Sequence, residues 1–212
     1  MQPFILWGNR NWSSPYFFSV YVTLKEKSLP FETRTLDLAK GEQQQAAYAK
    51  QSRTARIPSL AHGDFVVSES SAIVEYLEDT SPAVPVLPSA AQDKARARQV
   101  MSWIRSDATL PIRIARSTDY MFGFLTPTPP LSDEARAACD RLFTVSQAML
   151  DGKASLFDRF TVADADLAFM LQRLILVNDE VPAELRAYAN TCFERPSIQA
   201  FLTERVSHVT RS

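Results

Sequence analysis

The chain has 212 residues, 46% of them hydrophobic and 22% charged, so it is long enough to fold around one or two substantial cores. Lys and Arg number 23 against 24 Asp and Glu, and the net charge of -1 argues against an overall basic surface for nucleic acid or anionic lipid. No apolar run reaches membrane-spanning length, and no charged leader precedes the first predicted strand, so we expect a cytoplasmic protein without a membrane partner.

The first part of the chain alternates between strand and helix patterns. Residues 4–7 form an apolar run typical of a buried strand, and residues 15–27 carry apolar side chains on one helical face. Residues 31–36 alternate as a second strand, which predicts a right-handed βαβ unit with a parallel strand pair. Residues 40–52 are polar and predict only weak helix or loop.

A hairpin and a helix complete this region. Residues 59–61 and 65–67 flank a His-Gly-Asp turn and predict an antiparallel pair, and residues 70–79 predict a closing helix. Three prolines then mark residues 80–88 as a stiff linker. We therefore predict a first domain of mixed α/β structure over residues 1–79.

Residues 89–212 are predicted to form an all-helical domain. Ser89 is placed to cap a long helix that runs through Trp103, and Ser132 to cap another. Thr161 and Asp164 have the spacing of a capping box, so we interpret Asp164 as a structural residue and not as a catalytic acid. Pro182 and Pro196 are placed to open two final helices.

Cysteine and histidine are too sparse for a disulfide framework or a metal site. Cys139 and Cys192 lie far apart and outside any Cys-x-x-Cys pattern, which argues against a dithiol redox centre. His62 and His208 lack partners at metal-ligand spacing, so we expect no bound metal.

The residues with chemical potential lie in the first domain. Pro58, at the start of a strand, keeps Ile57 extended, so that the backbone of Ile57 is free to pair with a ligand. One hairpin later, Glu69 and Ser70 meet at a helix start, where unpaired N–H groups favour an anion. Together these features suit a short peptide that carries a carboxylate.

Ser14 precedes Pro15 at the start of the first helix, which predicts an N-cap followed by a proline in the first turn. The same geometry places a hydroxyl and N–H groups at the positive end of a helix dipole, where they can stabilise a thiolate. The residue types alone leave both interpretations open.

The order of these features resembles the cytosolic glutathione S-transferases, in which a thioredoxin-like βαβ–ββα domain precedes an all-helical domain. The resemblance covers essentially the whole chain. Its further elements are Ser70-x-x-Ile73-x-x-Tyr76-Leu77, Thr161-x-x-Asp164 and Arg195-Pro196-Ser197.

The resemblance implies a glutathione site on the first domain. Ile57, beside a cis Pro58, would pair its backbone with the cysteinyl unit, while Glu69 and Ser70 would hold the γ-glutamyl end. Arg56 would lie near the glycyl carboxylate. The implied glutathione-binding residues are Gln43, Arg56, Ile57, Pro58, Glu69 and Ser70.

Ser14 matches the serine that activates the thiol in the theta-like and zeta-like branches of this family, with Ser13 as the alternative. No cysteine stands at Ser14, as it would in omega-like members, and no strand tyrosine is present as in the alpha, mu and pi branches. Pro15 replaces the cysteine of the zeta-like Ser-Ser-Cys motif, which argues against zeta-like isomerisation. The chain therefore resembles a serine-type bacterial transferase.

The activity implied is attack of the glutathione thiolate on a small electrophile or a peroxide, in detoxification or oxidative stress. Glutathione would be a cosubstrate, no cofactor would be permanently bound, and the protein would form a homodimer. Trp103, Arg105 and Asp107 are candidates for the electrophile pocket, although Trp103 also suits a core position.

Two alternatives remain at this point. Folds of this type also serve as non-enzymatic interaction modules, and a glutathione-dependent disulfide reductase would share the same site. The presence of Ser14, Arg56, Glu69 and Ser70 together favours an enzyme, because interaction modules of this fold typically lose the hydroxyl or the Glu-Ser pair.

Overall fold

The computed structural model describes residues 3–209, which divide into two compact units. One unit contains residues 3–86 together with Pro196–Val209, and the other runs from Leu87 to Arg195. Within residues 3–209, no helix is both long and apolar enough to cross a membrane.

The first unit is built on a four-stranded mixed sheet. Its strands are β1 (Phe4–Asn9), β2 (Phe31–Leu36), β3 (Ser59–His62) and β4 (Phe65–Ser68). They lie in the order β2-β1-β3-β4, with β1 parallel to β2 and antiparallel to β3, and β3 antiparallel to β4. This arrangement confirms the predicted βαβ unit and hairpin of a thioredoxin-like domain.

Ten α-helices are found in the described part of the chain. In order they are α1 (Pro15–Glu26), α2 (Ala46–Ala49), α3 (Ser70–Thr80), α4 (Ala91–Arg105), α5 (Leu110–Ala115), α6 (Thr118–Met121), α7 (Asp133–Leu150), α8 (Val162–Ile175), α9 (Ala183–Phe193) and α10 (Pro196–Val209). The helices after the linker confirm the all-helical second region.

The last helix, α10, packs with the first unit, whereas the sequence analysis placed it in the helical domain of residues 89–212. The reason is its apolar face, since Ile198 and Phe201 are fully buried. Polar contacts with α1 add to this packing: the Tyr21 hydroxyl donates to Glu204 at 2.6 Å and the Ser197 hydroxyl donates to Glu26 at 2.5 Å. Such long-range packing leaves no local pattern in the sequence.

A buried cation joins the end of α1 to the segment that follows α3. The Lys27 side chain is 1% exposed, and its Nζ donates to the carbonyl oxygens of Ser81 (2.9 Å) and Val84 (2.8 Å). The Nζ also lies 3.1 Å from Oε1 of Glu78, which accepts the N–H of Val86. The first part of the predicted linker is therefore held in place by specific contacts.

In the second unit, α8 is buried along its whole length and forms the centre of the core. The Asp164 carboxylate accepts four hydrogen bonds, two of them from the N–H and hydroxyl of Thr161 and the others from the Leu156 N–H and the Tyr188 hydroxyl. These contacts confirm the structural role predicted for Asp164.

One capping prediction was wrong in this unit and another was confirmed. Helix α4 has Ala90, not Ser89, at its N-cap, and no side chain caps it there. Helix α7 is capped by Ser132, whose hydroxyl oxygen accepts the N–H of Ala135 at 3.2 Å.

Candidate functional site

One end of the sheet in the first unit brings together the segments in which the sequence analysis placed the site. The last paired residues at this end are Trp7 with Ser59, and Ser59 with Ser68. The β1–α1 loop, the Ile57-Pro58 pair and the Glu69-Ser70 pair therefore all leave the sheet on the same side. Because β2 runs parallel to β1, the segment that leads to Gln43 begins there too.

The β1–α1 loop presents two adjacent serines in different environments. Ser14 is partly exposed, and its hydroxyl oxygen accepts the N–H of Phe17 at 3.3 Å, as predicted for an N-cap. Ser13 is only 9% exposed, and its hydroxyl oxygen accepts the Nδ2–H of Asn9 at 2.9 Å. The geometry therefore leaves the hydroxyl of Ser14 more accessible than that of Ser13.

The Ile57-Pro58 peptide bond is cis, as the sequence analysis expected. Ile57 is half-buried and precedes β3, whose ladder begins at Ser59. Within the part of the chain that the structure describes, the backbone N–H and C=O of Ile57 have no hydrogen-bond partner. This short backbone edge is available to a peptide ligand.

The preceding residue, Arg56, is fixed by its backbone and free at its side chain. Its carbonyl oxygen accepts hydrogen bonds from the hydroxyls of Tyr48 (2.8 Å) and Ser52 (3.3 Å). The side chain is exposed, and within residues 3–209 the guanidinium has no hydrogen-bond or ion-pair partner. Gln43, in a short 3-10 turn, has a buried Oε1 without a hydrogen-bond partner in the same range.

Glu69 has an unusual backbone for its residue type. It lies at the N-cap of α3 with φ 72° and ψ 115°, a region that side chains other than glycine rarely adopt. Its side chain is exposed and forms no capping hydrogen bond, while Ser70 at the helix start is 5% exposed. The first N–H groups of α3 are therefore not capped by Glu69, which is a setting that favours an anionic group.

The three candidates for an electrophile pocket lie in the second unit, at the end of α4 and just beyond it. The guanidinium of Arg105 donates to Asp166 at 2.6 Å, so its charge is already paired. Asp107 is exposed in a short 3-10 turn, and Trp103 is half-buried. Trp103 is therefore not fully buried, and it stays a candidate for the electrophile pocket.

Neither cysteine is a suitable nucleophile. Burial raises the pKa of the Cys139 thiol to about 11, with the nearby Asp179 carboxylate adding to the effect. Burial also raises the pKa of the Cys192 thiol to about 12, with a further contribution from Asp164. Both raised pKa values favour the neutral thiol near neutral pH, and both cysteines belong to the second unit.

The fold and the site define a thioredoxin-like domain followed by a helical domain, and comparison with known proteins agrees. Residues 2–79 match the family model for the N-terminal domain of glutathione S-transferases, and residues 90–206 match the model for the C-terminal domain. The chain therefore belongs to the glutathione S-transferase family.

Individual relatives support the same assignment. The chain is 29% identical over 158 residues to a maleylacetoacetate isomerase of Dictyostelium discoideum, covering 72% of each protein. It is 31% identical over 152 residues to glutathione S-transferase 1 of Dianthus caryophyllus, covering 70% of this chain and 68% of the relative. A glutathione transferase homologue from Burkholderia gl BGR1, solved with bound glutathione, is 34% identical with a TM-score of 0.77, covering 97% of this chain and 99% of that one.

Asn9 is a further residue of this site that no motif in the sequence indicated. The residue is 8% exposed at the end of β1 and contacts both serines through its side-chain amide. A buried polar residue at the end of a strand that leads into a candidate catalytic loop is a signal that could have identified it.

Proposed function

We propose that the protein is a glutathione transferase that binds glutathione at the end of the sheet and activates its thiol with the Ser14 hydroxyl. The observation that carries this proposal is the convergence of Ser14, the unpaired backbone of Ile57 and the Glu69-Ser70 helix start at one end of a single sheet. The glutathione found in the Burkholderia relative supports the choice of ligand.

The ends of glutathione match the charges around this position. The exposed carboxylate of Glu69 is suited to the γ-glutamyl amine, and the start of α3 at Ser70 to the adjacent carboxylate. The exposed guanidinium of Arg56 is suited to the glycyl carboxylate, with Gln43 as a second polar group for the same end of the ligand. The backbone of Ile57, before Pro58, is suited to antiparallel pairing with the cysteinyl unit, which lies between the two ends of glutathione.

The role of Ser14 follows from the direction of its hydrogen bonds. Its oxygen accepts the N–H of Phe17, so its hydroxyl hydrogen remains to donate to a sulfur atom. A free thiol has a pKa of about 8.5, so only a few per cent is ionised at neutral pH. A hydroxyl donor at the positive end of α1 favours the thiolate, which then attacks an electrophilic carbon or a peroxide oxygen.

The experiment is a calorimetric titration with reduced glutathione, followed by assays with chlorodinitrobenzene, an organic hydroperoxide and a small disulfide. A transferase binds glutathione and conjugates the aromatic halide, and the other two assays detect peroxidase and disulfide reductase activity. Absence of both binding and turnover would favour the non-enzymatic interaction module. The same assays on alanine variants of Trp103, Arg105 and Asp107 test whether each side chain affects the KM of the second substrate.

We also propose that the protein acts in the cytoplasm as a homodimer, in keeping with twofold dimers as the commonest oligomers. Phe65 on the edge strand β4 is 50% exposed, and such an apolar side chain is suited to an interface. Light scattering should give twice the chain mass of 23.8 kDa. A monomeric mass at working concentration would contradict this assembly.

A further inference from the structure

Asn9 fixes the β1–α1 loop through three hydrogen bonds. Its carbonyl oxygen accepts the N–H of Trp12 at 3.0 Å, and its Oδ1 accepts the N–H of Ser14 at 3.1 Å. Its Nδ2 donates to the hydroxyl oxygen of Ser13 at 2.9 Å. Since Asn9 is 8% exposed and also belongs to β1, these bonds tie the loop to the sheet.

These bonds, together with Pro15, remove several backbone donors at the start of α1. The N–H of Ser14 is used by Asn9, Pro15 has no N–H, and the N–H of Phe17 is used by the Ser14 oxygen. None of these three backbone positions can therefore donate to a sulfur atom. The oxygen of Ser14 accepts the N–H of Phe17, so the hydroxyl hydrogen of Ser14 stays available to donate to the sulfur.

The same amide of Asn9 holds Ser13 in a position that is less accessible to a sulfur atom. Its hydroxyl oxygen is held by the Nδ2–H of Asn9 in a position where Ser13 is only 9% exposed. Ser14, with its backbone N–H held by the other side of the amide, is partly exposed. The side-chain amide of Asn9 thus bonds both serines, with Ser13 largely buried and Ser14 partly exposed.

We propose that Asn9 is a positioning residue for thiol activation, which selects Ser14 over Ser13 as the hydroxyl that meets the sulfur of glutathione. This inference rests on the proposed function. An amide is required because it donates to Ser13 and accepts from Ser14 at once, whereas a carboxylate would only accept. A carboxylate would also place a negative charge near the thiolate and oppose its formation.

The test compares the pH at which the thiol of bound glutathione ionises, measured by the ultraviolet absorbance of the thiolate. In Ser14→Ala this midpoint should rise by about one to two pH units, the value of a hydrogen bond to a charged group. Asn9→Ala should raise the midpoint in the same direction by a smaller amount and lower kcat, with the calorimetric affinity for glutathione nearly unchanged. Asn11→Ala, at an exposed position of the same loop, is the control and should match the wild type.

A double variant separates positioning from general loosening of the loop. If Asn9 acts through Ser14, adding Asn9→Ala to Ser14→Ala should shift the midpoint no further. An additional shift in the double variant would overturn the inference. Should Asn9→Ala fail to fold, Asn9→Asp retains the acceptor for Ser14, and its midpoint should lie above that of the wild type; an unshifted midpoint in Asn9→Asp would also overturn the inference.

The proposed function and the role of Asn9 are contradicted by different results. A wild-type midpoint equal to that of free glutathione contradicts the proposed function, and with it the role of Asn9. A lowered wild-type midpoint that Ser14→Ala abolishes and Asn9→Ala preserves contradicts only the role of Asn9.

Discussion

Phe201 on the last helix packs against Trp12, with their ring centroids 5.3 Å apart, and both side chains are fully buried. Trp12 immediately precedes the serine pair and has a φ of 49°. The ring of Trp12 also contacts Phe17 and Tyr21 of α1 at 4.9 and 5.5 Å. The C-terminal helix is therefore part of the support for the loop that carries Ser14.

Phe201→Ala should destabilise the first unit by about 3–5 kcal/mol, because it removes a buried aromatic ring from this cluster and leaves a cavity. The free energy of unfolding from urea denaturation, followed by tryptophan fluorescence, measures the effect. Val206→Ala, at a position on the same helix that is 55% exposed, should change it by no more than about 0.5 kcal/mol. Equal effects of the two variants would show that α10 does not stabilise this unit through Phe201.

Lys27→Met should cost about 3–5 kcal/mol of stability, because it leaves the buried Glu78 carboxylate without its cation and two carbonyl oxygens without a donor. Thermal unfolding of the variant beside the wild type measures this. The matched change Lys40→Met removes a lysine whose side chain is 67% exposed and should have little effect. A Lys27→Met protein as stable as the wild type would mean that the linker contacts are dispensable.

Glu69→Ala should weaken glutathione binding by roughly ten-fold or more, since loss of one partner of a charged hydrogen bond costs about 1.5–3 kcal/mol. Isothermal titration calorimetry gives the affinity directly. Asp64→Ala, which removes an exposed carboxylate from the β3–β4 turn, is the control for a change in net charge. Unchanged affinity in Glu69→Ala would place the ligand elsewhere.

The two cysteines should be protected from alkylation in the folded protein. Burial raises the pKa of Cys139 to about 11 and that of Cys192 to about 12, whereas the pKa of a free thiol is about 8.5. The stability that comes from keeping these thiols neutral is therefore fully present below the pKa of the unfolded thiol. It is lost as the pH rises through the folded-state values of about 11 and about 12. Iodoacetamide at about pH 8 should label the native protein slowly and the denatured protein fast; rapid native labelling of either thiol would contradict this.

Much of the fold was predictable because it follows from local patterns. The apolar run of residues 4–7, the apolar face of α1 and the turn between β3 and β4 each specify an element within a few residues. The capping box of Thr161 and Asp164 is likewise a short-range motif, and the structure contains it. The cis bond before Pro58 was expected from the family resemblance and not from the residue types.

The remaining features depend on contacts between distant residues. The packing of Phe201 on Trp12 and the burial of Lys27 against Glu78 join segments far apart in the chain, and no local pattern encodes them. The positive φ of Glu69 is also not encoded by its residue type, since glycine is the usual residue in that region.

Ser14 is proposed to lower the pKa of the bound thiol through its hydroxyl, beyond its role as the cap of α1. Ser14→Ala should leave glutathione affinity nearly intact, raise the pH of thiol ionisation, and lower turnover at neutral pH by roughly ten- to a hundred-fold. If Ser14 served only as the cap of α1, the variant would lose about 1 kcal/mol of stability and keep its turnover in the folded fraction.

The most direct measurement is therefore turnover at neutral pH beside the melting temperature in Ser14→Ala, with Ser13→Ala as the matched control. Activation by Ser14 predicts a large loss of turnover in Ser14→Ala and nearly normal turnover in Ser13→Ala. Loss of turnover in Ser13→Ala alone would show that Ser13, and not Ser14, activates the thiol. Full turnover in both variants would contradict activation by a hydroxyl altogether.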